Sequence, residues 1–236
     1  MYSIEAYNLT KCYGAKKAVD SLQLKIKKGE LFALLGTNGA GKTTAVKMLA
    51  SLIKPDYGEV YIHSLLMQEN LNCLRQIMNI SPQESAIAPN LTVAENLEFM
   101  AGIYGVKNKK EKIEALSNQF GLNEVLKQKA KSLSGGWKRK LSIAISLINE
   151  PEVLFLDEPI AALDVIARRE LWKIIRQLKG KTTIVLTTHY MEEAQALSDR
   201  IAIMSNGRLK CVGTAEELIA LSGKDNFEDA FVALAV

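Results

Sequence analysis

The chain has 236 residues, 48% of them hydrophobic, with 30 Lys and Arg against 26 Asp and Glu for a net charge of +4. That suits one compact α/β domain, or one domain carrying a smaller subdomain. It excludes intrinsic disorder, and so modest a charge gives no reason to expect nucleic acid as a partner. Apolar runs such as Val153–Leu156 fall far short of the roughly 20 residues that a bilayer span needs. Met1-Tyr2-Ser3-Ile4-Glu5 lacks the basic-then-apolar layout of a signal peptide, so a cytoplasmic location is expected. Cys12, Cys73 and Cys211 show no C-x-x-C spacing and indicate neither a disulfide framework nor a zinc site.

Tyr2–Leu9 and Leu22–Ile26 alternate as half-buried strands do, and Lys27-Lys28-Gly29 makes a turn. Leu31-Phe32-Ala33-Leu34-Leu35 is apolar throughout, as a strand buried on both faces of a mainly parallel sheet should be. It runs into Gly36-Thr37-Asn38-Gly39-Ala40-Gly41-Lys42-Thr43, which fits G-x-x-x-x-G-K-[ST]. A helical stretch carrying Val46, Leu49, Ala50 and Ile53 follows, ended by Pro55-Asp56-Tyr57-Gly58. A strand before and a helix after is the context that makes this pattern a phosphate-cradling loop. Glycines let backbone N–H groups turn inward, and the helix N-terminus adds the positive end of its dipole. Gly36 to Thr44 are therefore the predicted nucleotide-binding residues, with Lys42 for the β- and γ-phosphates and the Thr43 hydroxyl as a Mg²⁺ ligand. Thr44 completes the set.

From Leu91 to Lys131 the pattern is helical. Thr92-Val93-Ala94-Glu95 reads as a capping box, Val93, Leu97, Ala101 and Tyr104 share a face, and Ile113, Leu116 and Phe120 form a second helix before Gly121. This is read as a helical insert, about 84–150, within a single domain covering 1–236. Leu141, Ala144, Ile145 and Ile148 form another stripe before the strand Val153–Leu156. Asp157 and Glu158 stand at the end of that strand, where sheet ligands bind. Asp157 is placed for Mg²⁺, directly or through water, and Glu158 for orienting or deprotonating an attacking water. A helix over Val165–Leu178 and a strand over Thr183–Thr188 follow. Ile201–Met204, Asn206-Gly207 and Leu209–Val212 read as a hairpin, and a last helix starts at Thr214 with a capping Glu217.

Leu133-Ser134-Gly135-Gly136-Trp137 completes the set: Ser134 lies 92 residues after Lys42 and 23 before Asp157. With Tyr13, Gln83 and His189, this order and spacing resembles the nucleotide-binding subunits of ATP-binding-cassette (ABC) transporters over nearly the whole chain. The resemblance implies a P-loop NTPase core with a mainly parallel sheet, an N-terminal antiparallel β subdomain and an α-helical insert. It implies ATP and Mg²⁺, and a head-to-tail dimer (homodimer or heterodimer) with two ATP molecules between one subunit's phosphate loop and the other's signature segment. Under it Tyr13 stacks on adenine, Gln83 reaches Mg²⁺ and the water, and His189 senses the γ-phosphate. Ser134, Gly135 and Gly136 face the partner's γ-phosphate, and Asp164 lies in the loop crossing the interface while also capping the next helix. Glu158, His189 and Gln83 are then the catalytic set, and Thr43, Gln83 and Asp157 the metal set. Trp137 replaces the usual glutamine, Ile160 and Ala161 the usual Thr and Ser, and Val165 a usual proline; lost hydroxyls there are expected to slow hydrolysis without preventing binding.

The stretches Thr188–Ala194, Ser198–Ala202 and Phe227–Phe231 resemble the branch that exports drugs, antibiotics, lipids, polysaccharides or sodium. That implies an ATPase held at the inner face of the membrane by a membrane-spanning subunit. Its docking place is expected at the helical insert, where Ala86, Ile87, Ala88 and Pro89 read as an exposed apolar loop. A soluble ABC-type ATPase acting on ribosomes or DNA is the alternative; the lack of a second cassette, a heptad run or zinc spacing disfavours it.

Overall fold

A computed structural model describes residues 1–161 and 163–235; Ala162, in the segment leading to Asp164, lies outside the described residues. The first elements are two long antiparallel strands, β1 (Tyr2–Tyr13) and β2 (Lys16–Lys27). Both run past the alternating segments of the sequence, because shifts of register let the pairing continue where the alternation breaks. β3 (Leu31–Leu35) is buried along its length, and α1 (Lys42–Leu49) follows the glycine loop. This helix ends before Ile53, since Ser51 takes a left-handed conformation (φ 59°) just beyond its cap.

Next come β4 (Tyr57–Ile62), β5 (Leu65–Leu66), the short helix α2 (Leu71–Ile77) and β6 (Met78–Ser81). The sequence reading assigned none of these. Each is short, and left-handed His63 and Ser64 interrupt any sustained period. α3 (Val93–Ile103) carries the expected capping box, with Thr92 and Glu95 bonding reciprocally, and α4 (Lys109–Phe120) ends on left-handed Gly121. α5 (Gly135–Ser146) leads to β7 (Val153–Asp157), α6 (Val165–Leu178) and β8 (Thr183–Thr188). The chain closes with α7 (Met191–Leu197), β9 (Arg200–Ser205), β10 (Arg208–Gly213), α8 (Ala215–Ser222) and α9 (Phe227–Ala235). The expected Asn206-Gly207 turn joins β9 to β10, both residues at positive φ. Thr214 and Glu217 form a second capping box.

Two sheets result. One is antiparallel, in the order β2-β1-β4-β5; the other runs β10-β9-β3-β8-β7-β6, parallel from β9 to β6 with β10 antiparallel at its edge. This is the expected fold class, a P-loop-type α/β core with an antiparallel β subdomain and added helices. Alternation along β3 divides the interior. Phe32 and Leu34 join Val46, Met48, Phe155 and the antiparallel sheet in one apolar cluster. Leu31, Ala33 and Leu35 join α3, α4, α5 and α7 in the other. Burying a side chain such as Phe155 contributes about 1.5–3 kcal/mol, so this division fixes which face each helix covers. The strand order has one consequence for chemistry. β8 lies between β3 and β7, so the chain segments after all three strands meet at one edge of the sheet.

Candidate functional site

What meets at that edge is the glycine loop after β3, the acidic pair ending β7, and His189 after β8. A cleft of about 580 Å³ there is lined by Tyr13, Asn38 to Thr44, Gln83, Glu158 and His189, together with Lys16, Ala18 and Ala161. The sequence reading thus placed most of its candidates in one cavity. Gly36 and Thr37 start the loop just outside its lining, and Asp157 lies buried beneath it.

The loop is shaped by contacts that only glycine permits. A Cβ at Gly36 would strike the Met204 carbonyl, and Gly41 (φ 99°) would meet the Ala18 carbonyl. Gly41 is the N-cap of α1, so the loop opens directly onto that helix's free amides. Lys42, 4% exposed, folds back on the loop and donates to the carbonyl oxygens of Gly36 (2.8 Å) and Thr37 (3.1 Å). Its ammonium is 3.7 Å from Glu158. Burial pulls its pKa below the usual lysine value, and the charges of Glu158 and Asp157 oppose that shift.

Asp157 accepts from the Thr43 hydroxyl (3.1 Å) and from Thr187 (2.5 Å) on neighbouring β8. Thr43, Asp157 and the amide of Gln83 offer oxygen donors, the hard set that suits Mg²⁺ sharing its shell with phosphate and water. Glu158 sits at φ 47°, a left-handed conformation costing about 1–3 kcal/mol for a residue with a side chain. Its amide is held there by the Thr187 carbonyl (3.1 Å) and hydroxyl (3.0 Å). His189 Nδ1 approaches Glu158 Oε1 to 3.3 Å without an aligned hydrogen bond, and its ring lies 4.1 Å from that of Tyr190. Tyr13 is 55% exposed at the outer rim, as a face open for stacking would be.

Ser134, Gly135, Gly136 and Asp164 are not part of this cleft. They line a separate depression of about 540 Å³ with Trp137 and Lys140. Ser134 is the N-cap of α5, and its hydroxyl accepts from the Trp137 amide (3.5 Å). Asp164 caps α6 as the sequence suggested, accepting from Ile166 and Ala167 at 2.9 Å each. Val165 and Ile166 beside it are 61% and 73% exposed.

Of the apolar loop expected at Ala86–Pro89, Ala86 and Pro89 are exposed while Ile87 and Ala88 are half-buried. Ile87 is half-buried against the core, and Asn96 on α3 pins the loop by bonding both the amide and the carbonyl of Ala88. Larger exposed apolar residues include Phe99 and Ile103 on one face of α3, and Leu52 after α1. Leu52 and Ile103 border a groove of about 360 Å³ with Ile80, Tyr104 and Arg75.

Three residues of this region carried no sequence signal of their own. Arg139 acts through backbone carbonyls, and Thr187 through the Glu158 amide and the Asp157 carboxylate, contacts that no spacing rule encodes. Glu193 on α7 is fully buried, and neither of its carboxyl oxygens has an aligned partner. Burial pushes its pKa from 4.5 up to about 7, against the pull of Thr188, Arg139, Trp172 and Arg168. The fold therefore binds this proton more tightly than the unfolded chain. The stability this gives is full below about pH 4.5 and is lost as pH rises to about 7. Glu193→Gln is expected to remove that slope, worth on the order of 3 kcal/mol at 1.36 kcal/mol per unit. Urea unfolding of both proteins across the acid-to-neutral range checks it, and parallel curves would refute it.

A sequence profile described as "ABC transporter" matches residues 19–161. The probable multidrug ABC transporter ATP-binding protein YbhF of Escherichia coli K12 is 38% identical over 98% of this chain, which spans 41% of that protein's length. The daunorubicin resistance ATP-binding protein DrrA3 of Streptomyces coeruleorubidus is 39% identical over 92% of this chain and 70% of its own. Among solved structures, a dimeric post-hydrolysis state of the ATP-binding cassette MJ0796 bound to ADP and Pi superposes with a TM-score of 0.82. It is 25% identical and covers 89% of this chain and 98% of that one.

Proposed function

The chain belongs to the ABC transporter family, and we propose that it is the ATP-hydrolysing subunit of a membrane exporter, acting as a head-to-tail pair of nucleotide-binding subunits. One observation carries this reading: the site is divided. Lys42, Gln83, Glu158 and His189 line one cleft while Ser134–Gly136 line another on the same chain. A nucleotide on Lys42 is therefore enclosed only when a second subunit brings its own Ser134–Gly136 over the phosphates. The dimeric, ADP- and Pi-bound state of MJ0796 supports the pairing, as do the exposed Val165 and Ile166 beside the second depression. The drug-related names of YbhF and DrrA3 support export. We treat residues 1–236 as one ATPase domain with its helical insert between β6 and β7.

The chemistry follows from the residues. The Lys42 ammonium exchanges the Gly36 and Thr37 carbonyls for the β- and γ-phosphates, aided by the loop amides. Thr43, Asp157 and Gln83 would hold Mg²⁺, which when bound would neutralise charge on those phosphates. Glu158 orients the attacking water and accepts its proton. His189, already against Glu158, is in reach of the γ-phosphate, and Tyr13 offers its face to adenine. Phosphoryl transfer depends mainly on such positioning.

Among the described residues no helix is long and apolar enough to cross a membrane. The exposed apolar strip at Leu52 and Ile103, costly to leave in water unless something covers it, supports docking of a membrane-spanning partner at that groove. Phe99→Glu with Ile103→Glu is expected to release the chain from membranes when it is co-expressed with its multispan partner, with ATP affinity held within about twofold. Crosslinking from position 103 checks it. Adducts to ribosomal protein or nucleic acid, with none to a membrane protein, would favour the soluble ATPase instead.

A further inference from the structure

Arg139 lies on α5, one turn behind Gly135 and Gly136, and is 4% exposed. Its guanidinium donates to three backbone carbonyls: Pro82 at 2.5 Å, Asp157 at 2.7 Å and Pro159 at 2.9 Å. Each carbonyl adjoins the candidate machinery. Pro82 precedes Gln83, Asp157 precedes Glu158, and Pro159 follows it. One turn further along α5, the Ser142 hydroxyl bonds that of Ser81, at the end of β6, at 2.9 Å.

This is an unusual place for a cation. No ion pair with a carboxylate is formed by Arg139 among the described residues, so it rests on peptide oxygens within the field of Asp157, Glu193 and Glu158. Burial lowers its pKa to about 10, which leaves it charged at neutral pH. A structural crosslink alone would not require that cost. A guanidinium, however, projects five N–H groups from one rigid plane, so it can tie two separate segments to its own helix at once; an ammonium cannot copy that geometry. Those two segments carry Gln83 and Glu158, and the helix is the one whose first turn is Ser134–Gly136.

We infer that Arg139 is a positioning residue that makes the placement of its own subunit's Gln83 and Glu158 depend on the position of α5, and hence on what Ser134–Gly136 touch. The inference rests on the reading that this segment faces a nucleotide held by the second subunit. Arrival of that nucleotide shifts α5, and the guanidinium transmits the shift to the two groups that handle water at the other site. The two sites thus become competent together, through one side chain that contacts neither ATP.

The test uses Arg139→Lys, which retains the buried charge, and Arg139→Met, which does not. Three quantities are measured on the full chain: MgATP affinity, steady-state turnover, and ATP-dependent dimerisation with Glu158→Gln added. The expectation for Arg139→Lys is ATP affinity within about twofold of the parent and a dimer that still forms, with kcat lower by about 10- to 100-fold. Arg139→Met should fall at least as far. If the methionine variant does not fold, the lysine variant decides alone. Parental kcat in Arg139→Lys overturns the inference, as does a loss of ATP affinity equal to the loss of turnover. If Glu158→Gln with native Arg139 fails to dimerise on ATP, the paired-subunit reading falls first and takes this inference with it.

Discussion

Glu158→Gln is expected to lower ATP turnover by about 10²–10⁴-fold, the usual contribution of a positioned general base, while ATP affinity stays nearly intact. The expectation comes from where the carboxylate is held. Its amide is clamped by both oxygens of Thr187, its side chain lies between Lys42 at 3.7 Å and His189 at 3.3 Å, and it lines the cleft. Asp157 is poorly placed to substitute, because its carboxylate is buried and already accepts from Thr43 and Thr187. Glutamine keeps the length and branching of the side chain, so it removes the proton acceptor and little else. The variant should therefore bind ATP, close with a second subunit and stay closed. Single-turnover kinetics and light scattering with ATP would show this directly. A variant that turns over at the wild-type rate would remove Glu158 from the mechanism.

Lys42→Ala is expected to act one step earlier, on binding. An ammonium buried to 4% exposure, bonded to loop carbonyls and 3.7 Å from Glu158, sits where a phosphate can replace those partners, and its charge is partly desolvated already. Removing a buried charge partner of this kind costs about 2–5 kcal/mol, or roughly 30- to several-thousand-fold in ATP affinity at 1.4 kcal/mol per decade. Nucleotide titration by calorimetry measures the loss. Affinity within a few-fold of wild type would mean that the loop amides alone hold the phosphates. The two substitutions are thus separable: one weakens binding, the other traps it.

How much of this was legible in the chain depends on the range over which each feature is encoded. The glycine loop, the Asp157-Glu158 pair, both capping boxes and the Asp164 cap are local patterns, and each appeared where its spacing put it. β4, β5 and β6 went unread because strands of two to six residues, broken by left-handed His63 and Ser64, leave no period to detect. α7 spans only seven residues with an acidic first turn, whereas α9 does carry an apolar period (Phe227, Ala230, Phe231, Leu234) that the sequence reading passed over. Ile87 was misplaced for another reason. It lies in a surface loop with Ala86 and Pro89 exposed, but Asn96, eight residues on from Ala88, pins that residue's backbone and turns Ile87 partly inward. Arg139 is the extreme case. Its partners are peptide carbonyls at positions 82, 157 and 159, and a peptide carbonyl has no identity in a sequence.

The contacts that shape the phosphate loop also bear on when it can form. Gly36 fits only against Met204, and its amide donates to the Thr188 carbonyl; Gly41 fits only against Ala18, and Ala40 accepts from Gly207. The loop is therefore bounded by residues from both ends of the chain, although its own motif spans a single strand and helix. Such long-range pairings are costly in closure entropy and are made late. During synthesis the motif emerges early, but the surfaces that hold it arrive only with β8 and the β9–β10 hairpin. A nascent chain carrying the whole glycine motif would still lack this cradle until the β9–β10 hairpin had left the ribosome. The motif alone is therefore only part of what shapes the phosphate loop.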